Sequence, residues 1–248
     1  MCIRDRSKTF GSVQAAQSIK WELFEGEVLA LLGENGAGKT TLMNMLFGHY
    51  MPDAGTIDIF DTSGTAKPLQ LGNPQAAIAA GIGMVHQHFT LAENLDALDN
   101  IMLGSERFFD FKRNKTKAMQ KVQKIMDDSG LAAPINIPVG KLTVGERQRV
   151  EILKALYQDV KILVLDEPTA VLTPQESDKL FENITTMTKN GLSVIFISHK
   201  FREVLAFSNR IAVLRHGRKV GEISSKEANE RKIARLMVGE ETEISSRK

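Results

Sequence analysis

Three short stretches of the chain run apolar without alternation: VLALL (28 to 32), ILVL (162 to 165) and VIFIS (194 to 198), the last broken only by its closing serine. Each has the length of a strand, and the lack of alternation predicts burial on both faces. Elsewhere the period changes. Leu42, Met45 and Leu46 recur at helical spacing and the pattern stops at Gly48, as helices commonly do. Leu180, Phe181, Ile184 and Met187 form a second helical face. Thr173, Pro174 and Glu176 supply that helix with an N-cap, a first-turn proline and a capping-box acid. Apolar strands alternating with amphipathic helices predict an α/β fold with a mostly parallel sheet covered on both sides.

The remaining segments read differently. From Thr9 to Leu32 short strands are broken by Gly11 and by Glu25-Gly26-Glu27, residues 55 to 72 alternate like an exposed hairpin, and a short helix is expected from Pro74 to Ala80. Strand signals vanish between Leu91 and Gly130, where Ala118, Met119, Val122, Ile125 and Met126 share one helical face. This predicts an inserted helical lobe. Residues 211 to 223 read as a closing hairpin, and no internal repeat is visible.

Composition narrows the function classes. No apolar run approaches the ~18 to 20 residues that span a bilayer, so any membrane role is expected to be peripheral. Thirty-two basic against thirty acidic side chains leave a net charge of +2, far from the basic field of a dedicated nucleic-acid binder. The single cysteine, Cys2, excludes an internal disulfide and suits a reducing compartment. The opening residues, MCIRDR (1 to 6), resemble translated sequencing adapter and are expected to be non-native sequence standing in for the true start of the first strand. The polar end, GEETEISSRK, fits a natural terminus or the cut edge of a longer polypeptide.

Gly33-Glu34-Asn35-Gly36-Ala37-Gly38-Lys39-Thr40 matches G-x-x-x-x-G-K-[ST] in full, directly after a buried strand and before a helix. Its glycines let successive amide hydrogens face inward, and the helix start adds partial positive charge at the same point. That is a cradle for a polyphosphate. Lys39 is expected to neutralise the β and γ phosphates, Thr40 to ligate magnesium and Thr41 to donate to phosphate. The second buried strand ends in Asp166 and Glu167, at the edge where open α/β sheets bind ligands. Asp166 is expected to hold magnesium through water and Glu167 to polarise the water attacking the γ phosphate. Neighbouring strand residues point to opposite faces, so both acids can serve one site only if the strand ends at Asp166, a break that Pro168 favours.

Gly33 to Thr41, Gln87, LTVGERQRVEILKAL (142 to 156), LDEPTAVLTPQE (165 to 176) and ISHK (197 to 200) occur in the order seen in ATP-binding cassette ATPases, which the chain resembles over almost its whole length. VHQHF (85 to 89) and the two longer motifs are closest to the simple-sugar and nucleoside uptake branch, HQHF leaning toward nucleosides. The resemblance implies a P-loop NTPase fold with an antiparallel β subdomain, ATP and Mg2+ as ligands, and one domain over 1–248. Residues 1–88 and 161–232 would form the catalytic core and 89–160 the helical subdomain. It further implies that Phe10 stacks on adenine, that Gln87 reaches magnesium and the attacking water, and that His199 contacts the γ phosphate. Asn35, Gly36, Ala37 and Gly38 belong to the phosphate loop, and Thr143, Val144, Gly145 and Glu146 to the signature that closes over ATP on a partner cassette. The implied partners are a second cassette, fused or homodimeric and head-to-tail, transmembrane permease subunits and, indirectly, an extracytoplasmic binding protein, with the chain itself peripheral at the cytoplasmic face of the membrane.

Two departures stand out. Val144 and Glu146 replace glycine and glutamine of the common signature, and a carboxylate aimed at a γ phosphate would repel it unless a capping box with Thr143 turns it back. Thr173 replaces the usual aspartate. Lys112, Arg113, Lys115, Lys117, Lys121 and Lys124 read as a solvated helix face. His86 and His88, at i, i+2 without a third ligand, carry little zinc signal. The competing classes are a soluble cassette acting on ribosomes or DNA and a nucleotide-binding module without turnover.

Overall fold

The computed structural model describes residues 1–61, 63–103 and 115–239. In chain order these form β1 (Cys2–Phe10), β2 (Val13–Glu22), β3 (Val28–Leu32), α1 (Lys39–Phe47), β4 (Ala54–Phe60), β5 (Ala66–Pro68) and α2 (Pro74–Ala79). Next come β6 (Ile82–Val85), α3 (Ala97–Met102), α4 (Lys115–Ser129), a 3-10 turn (Val139–Lys141), α5 (Val144–Leu156), β7 (Ile162–Asp166) and α6 (Pro174–Lys189). The chain closes with β8 (Ser193–Ile197), α7 (Phe201–Phe207), β9 (Arg210–Arg215), β10 (Arg218–Ser224) and α8 (Glu230–Val238). Two compact units divide it: Met1–Ala80 with Ile195–Lys248, and Gly81–Val194.

In the first unit β2, β1, β4 and β5 form a four-stranded sheet in that order, with antiparallel pairing throughout. The alternating stretch after Gly55 is therefore a hairpin, as expected, but one side of it is built onto β1. β3 runs parallel to β9, which turns back antiparallel into β10. Every residue of β3 is buried, as its unbroken apolar run predicts. In the second unit β6 and β7 are parallel, pairing Ile82 with Ile162 through Val85 with Leu165. Helix α5 packs against α3 and α4, and α4 also meets α6.

The expected capping of α6 is present: Thr173 accepts from the Glu176 amide and Glu176 answers to the Thr173 amide at 3.0 Å. Its inner face buries Leu180, Phe181, Ile184 and Met187. The face expected on α4 is covered less completely. Ala118 and Val122 are buried, whereas Met119 is exposed and Ile125 and Met126 are half-buried. The lysine cluster is a solvated face that carries surface ion pairs: Lys115, Lys117 and Lys124 are exposed and Lys121 half-exposed. Lys115 pairs with Asp99 at 2.8 Å, and Lys121 pairs with Asp159 and lies over the Tyr157 ring, 4.7 Å from its centroid. Lys112 and Arg113 lie outside the described residues.

Arg6 is an anomaly in β1. It is completely buried, Nη1 reaches the Gly55 carbonyl at 3.3 Å, and Nε and Nη2 have no hydrogen-bond partner among the described residues. Desolvation pulls its pKa down to about 10, so at neutral pH the guanidinium is still charged and its desolvation is only partly compensated. The strand is irregular around it. Asp5 has φ of 50° and the register with β2 slips on either side of Arg6. Arg6→Leu is expected to stabilise the fold by about 1 to 3 kcal/mol, which for a chain of this size raises the Tm by several degrees, roughly 2 to 4 °C per kcal/mol. A melting curve shifted downward would contradict this reading of the core.

Candidate functional site

The phosphate-loop residues lie between β3 and α1 in the first unit. Gly38 has φ of 97°, and a Cβ there would come within 2.1 Å of the Ala15 carbonyl oxygen, so only glycine fits the turn into α1. The loop is cross-braced: the Ala37 amide donates to Glu34 at 3.1 Å and the Gly217 amide to Ala37 at 3.1 Å. Lys39 is buried beneath this curl, with Nζ donating to the carbonyls of Gly33 at 2.8 Å and Glu34 at 3.0 Å. Helix α1 starts without a side-chain cap and without an acid in its first turn. Its leading amides and dipole therefore face no carboxylate of their own helix, the condition an incoming anion needs. Asn35, Gly36 and Thr40 are exposed and Thr41 half-exposed.

Phe10, which an isolated reading would place in the core, is 44% exposed at the end of β1. Its ring meets Tyr50 edge-on, with centroids 5.4 Å apart and planes at 76°, and the Lys8 ammonium stands 5.4 Å from its centroid. Tyr50 carries no signal in the sequence; it lies three residues past the end of α1 and is itself exposed. His199 is exposed just after β8. The turn that carries it is fixed by Ser198, whose hydroxyl donates to buried Glu203 at 3.1 Å and accepts from the Lys200 amide at 3.1 Å.

In the second unit β7 ends at Asp166, which is buried, and Glu167 departs from the strand with φ of 51°. The break required for two adjacent carboxylates to leave opposite-face alternation is thus present in the backbone. Such a conformation in a glutamate is strained and characteristic of functional turns. Because Val85 pairs with Leu165, Gln87 follows the end of β6 beside the end of β7, so Gln87, Asp166 and Glu167 share one strand edge.

Thr143 caps α5. Glu146 Oε2 accepts from the Thr143 amide at 2.8 Å and its hydroxyl at 2.9 Å, while the Glu146 amide donates back to that hydroxyl at 3.3 Å. These bonds hold the Glu146 carboxyl below its ordinary pKa. The acid is turned onto its own backbone, the arrangement that removes the objection to a carboxylate in the signature. Val144 is exposed, while Gly145 is buried. A Cβ on Gly145 would lie 2.4 Å from Glu176 Oε1, so a larger residue where the start of α5 approaches the cap of α6 would displace that carboxylate.

The ABC transporter family profile matches residues 16–170. The chain belongs to this family. It is 42% identical over 262 residues to a glucose import ATP-binding protein, TsgD13, of Haloferax volcanii, covering 94% of this chain and 47% of that protein. It is 39% identical over 235 residues to the nucleoside import ATP-binding protein NupA of Lactococcus lactis, covering 95% and 46%. A ribose import ATP-binding protein of Burkholderia ambifaria is 42% identical over 240 residues, covering 96% and 46%. The chain spans about half the length of the curated relatives it matches. Among solved structures, the ADP conformation of MJ1267, an ATP-binding cassette of an ABC transporter, superposes with a TM-score of 0.81 at 23% identity, covering 96% of this chain and 98% of that one.

The fold is therefore that of an ABC cassette, a P-loop α/β architecture with an antiparallel sheet and a helical insertion. Within this ABC chain the motif residues occupy the loops and helix starts that the sequence order implied. The buried acids that hold those loops were not singled out. Glu203 fixes the turn of His199, and Glu151 binds the segment after Gln87. Glu203 stands outside the motifs, and Glu151, although inside LTVGERQRVEILKAL, is assigned no chemistry there; a glutamate on a helix reads as solvent-facing until its partner far along the chain is known. No helix among the described residues is long and apolar enough to cross a membrane.

Proposed function

We propose that the chain is the ATP-binding and ATP-hydrolysing cassette of an importer for a nucleoside or simple sugar, working at the cytoplasmic face of the membrane. The observation that carries the proposal is the uncapped, acid-free start of α1 with Lys39 folded into the loop before it. An anionic polyphosphate is the ligand such a surface selects. The named activities of the glucose, ribose and nucleoside import relatives support the importer reading, and the dimeric cassette structures of MJ0796 support a second cassette as partner. The transmembrane route belongs to separate permease subunits, with an extracytoplasmic binding protein delivering cargo to them.

The roles follow from residue chemistry. The amides from Gly33 to Thr41, including those of Asn35, Gly36, Ala37 and Gly38, hold the phosphate oxygens, and Lys39 balances their charge. Phe10 offers an exposed ring face to the base. The Thr40 hydroxyl, Asp166 carboxylate and Gln87 amide oxygen are hard oxygen donors of the kind magnesium takes. Magnesium, when bound, neutralises charge on the β and γ phosphates. Glu167 accepts the proton of the attacking water, Gln87 orients that water, and His199 donates to the γ phosphate. Thr143, Val144, Gly145 and Glu146 present the start of α5 to nucleotide on the partner cassette, with Glu146 withdrawn into its cap.

The purified chain is expected to bind ATP, to release phosphate when magnesium is present and to stop when it is chelated. The same preparation should show no strong, salt-sensitive retention of RNA or DNA in filter binding, because the charge balance supplies no counterion-releasing surface. Tight nucleic-acid retention would transfer the chain to the remodelling class of cassette proteins.

A further inference from the structure

The second unit contains a buried carboxylate that the proposed chemistry does not use. Glu151 lies in the middle of α5 between Val150 and Ile152, both completely buried, and is itself only 6% exposed. Its carboxylate reaches out of the helix to the segment that follows Gln87. Oε1 accepts from the Thr90 amide and, at 3.1 Å, from the Thr90 hydroxyl, which also lies 3.3 Å from Oε2. A buried carboxylate is costly unless its lone pairs are satisfied, and the donors here come from a residue 61 positions earlier.

A second buried side chain secures the next turn. Asn100 of α3 is completely buried, accepts from the Ala92 amide at 2.7 Å and donates to the carbonyls of Ala92, Leu95 and Asp96 at 3.0 to 3.2 Å. On the other side, Val85 is fixed by pairing with Leu165. Only residues 86 to 89 bridge the end of β6 and Thr90, and a chain spans at most ~3.3 to 3.6 Å per residue. Gln87 is thus carried on a short tether whose far end is held by the helix that begins with Thr143 to Glu146.

We propose that Glu151 is a positioning residue for ATP hydrolysis: by pinning Thr90 to α5 it fixes the reach of Gln87 and makes the Gln87 segment move with the signature helix. This rests on the assignment of Gln87 to the reacting phosphate made above. The carboxylate is suited to the task because one group accepts both a main-chain and a side-chain hydrogen and, being charged, makes each bond stronger than a neutral acceptor would.

The test uses the full chain with steady-state phosphate release, nucleotide binding and amide hydrogen exchange. Glu151→Ala is expected to lower kcat at least fivefold with KM for ATP within twofold of the parent, and to speed exchange of the Thr90 amide at least tenfold. Glu151→Gln, which keeps an acceptor oxygen and the volume, should recover part of kcat and of the protection. Combining Glu151→Ala with Gln87→Ala should lower kcat no further than Gln87→Ala alone, since both act through one group. Parent-like kcat in Glu151→Ala, or multiplicative losses in the double variant, would overturn the proposal. Parent-like turnover of Gln87→Ala would instead remove the role of Gln87, a failure distinguishable from loss of the pin alone.

Discussion

A Glu167→Gln chain is expected to bind ATP with the affinity of the parent and to hydrolyse it on the order of 10² to 10⁴ times more slowly, the usual worth of a positioned general base. The substitution is close to isosteric, and β7 ends before it, so neither the core strand nor the turn at φ of 51° is asked to change shape. What disappears is the only property the proposal assigns to this side chain, its capacity to take a proton from water. We propose further that ATP holds two cassettes closed and that hydrolysis releases them, so ATP should accumulate a stable dimer of this variant, visible by light scattering. Phosphate release under saturating magnesium and ATP is the deciding measurement. Comparable steady-state rates for variant and parent would falsify the assignment of the base.

Lys39→Ala should fail at the earlier step. Its ammonium sits under the loop with two carbonyl oxygens as partners, a position from which it can exchange carbonyls for phosphate oxygens over a short distance. Hydrogen bonds to charged groups contribute roughly 1.5 to 3 kcal/mol, so the dissociation constant for ATP is expected to rise about ten- to a hundredfold. The loss should be smaller for AMP, which lacks the β and γ phosphates that Lys39 serves. Calorimetric titration with ATP and AMP checks both expectations together. Unchanged ATP affinity would mean that the curl between β3 and α1 has another purpose.

The contrast between what was legible in sequence and what was not follows the range of the interactions involved. VLALL and ILVL announced buried parallel strands because burial on two faces leaves a local trace, an apolar residue at every position. Thr173, Pro174 and Glu176 announced the start of α6 for the same reason, since a capping box closes within four residues. Lys39 and its glycines were readable because the phosphate loop is continuous in the chain. Glu151 was not, because its neighbours Val150 and Ile152 fix only which side of α5 is apolar, while its partner Thr90 is set by tertiary packing. Tyr50 and Glu203 were missed similarly: each matters through a ring or hydroxyl that another element supplies. On α4 the error ran the other way, as a clear apolar stripe was left partly uncovered at Met119.

The left-handed backbone at Glu167 sets protein folding against turnover at a single codon. Side chains branched at the β carbon are sterically unwelcome there, and the residues that tolerate the conformation best, glycine, asparagine and aspartate, either lack a carboxylate or present it one methylene short. Glycine at this position would relieve about 1 to 2 kcal/mol of conformational strain while removing the proposed proton acceptor. A Glu167→Gly chain is therefore expected to melt higher than the parent while losing the proton acceptor proposed above, a trade that thermal unfolding and phosphate release read separately.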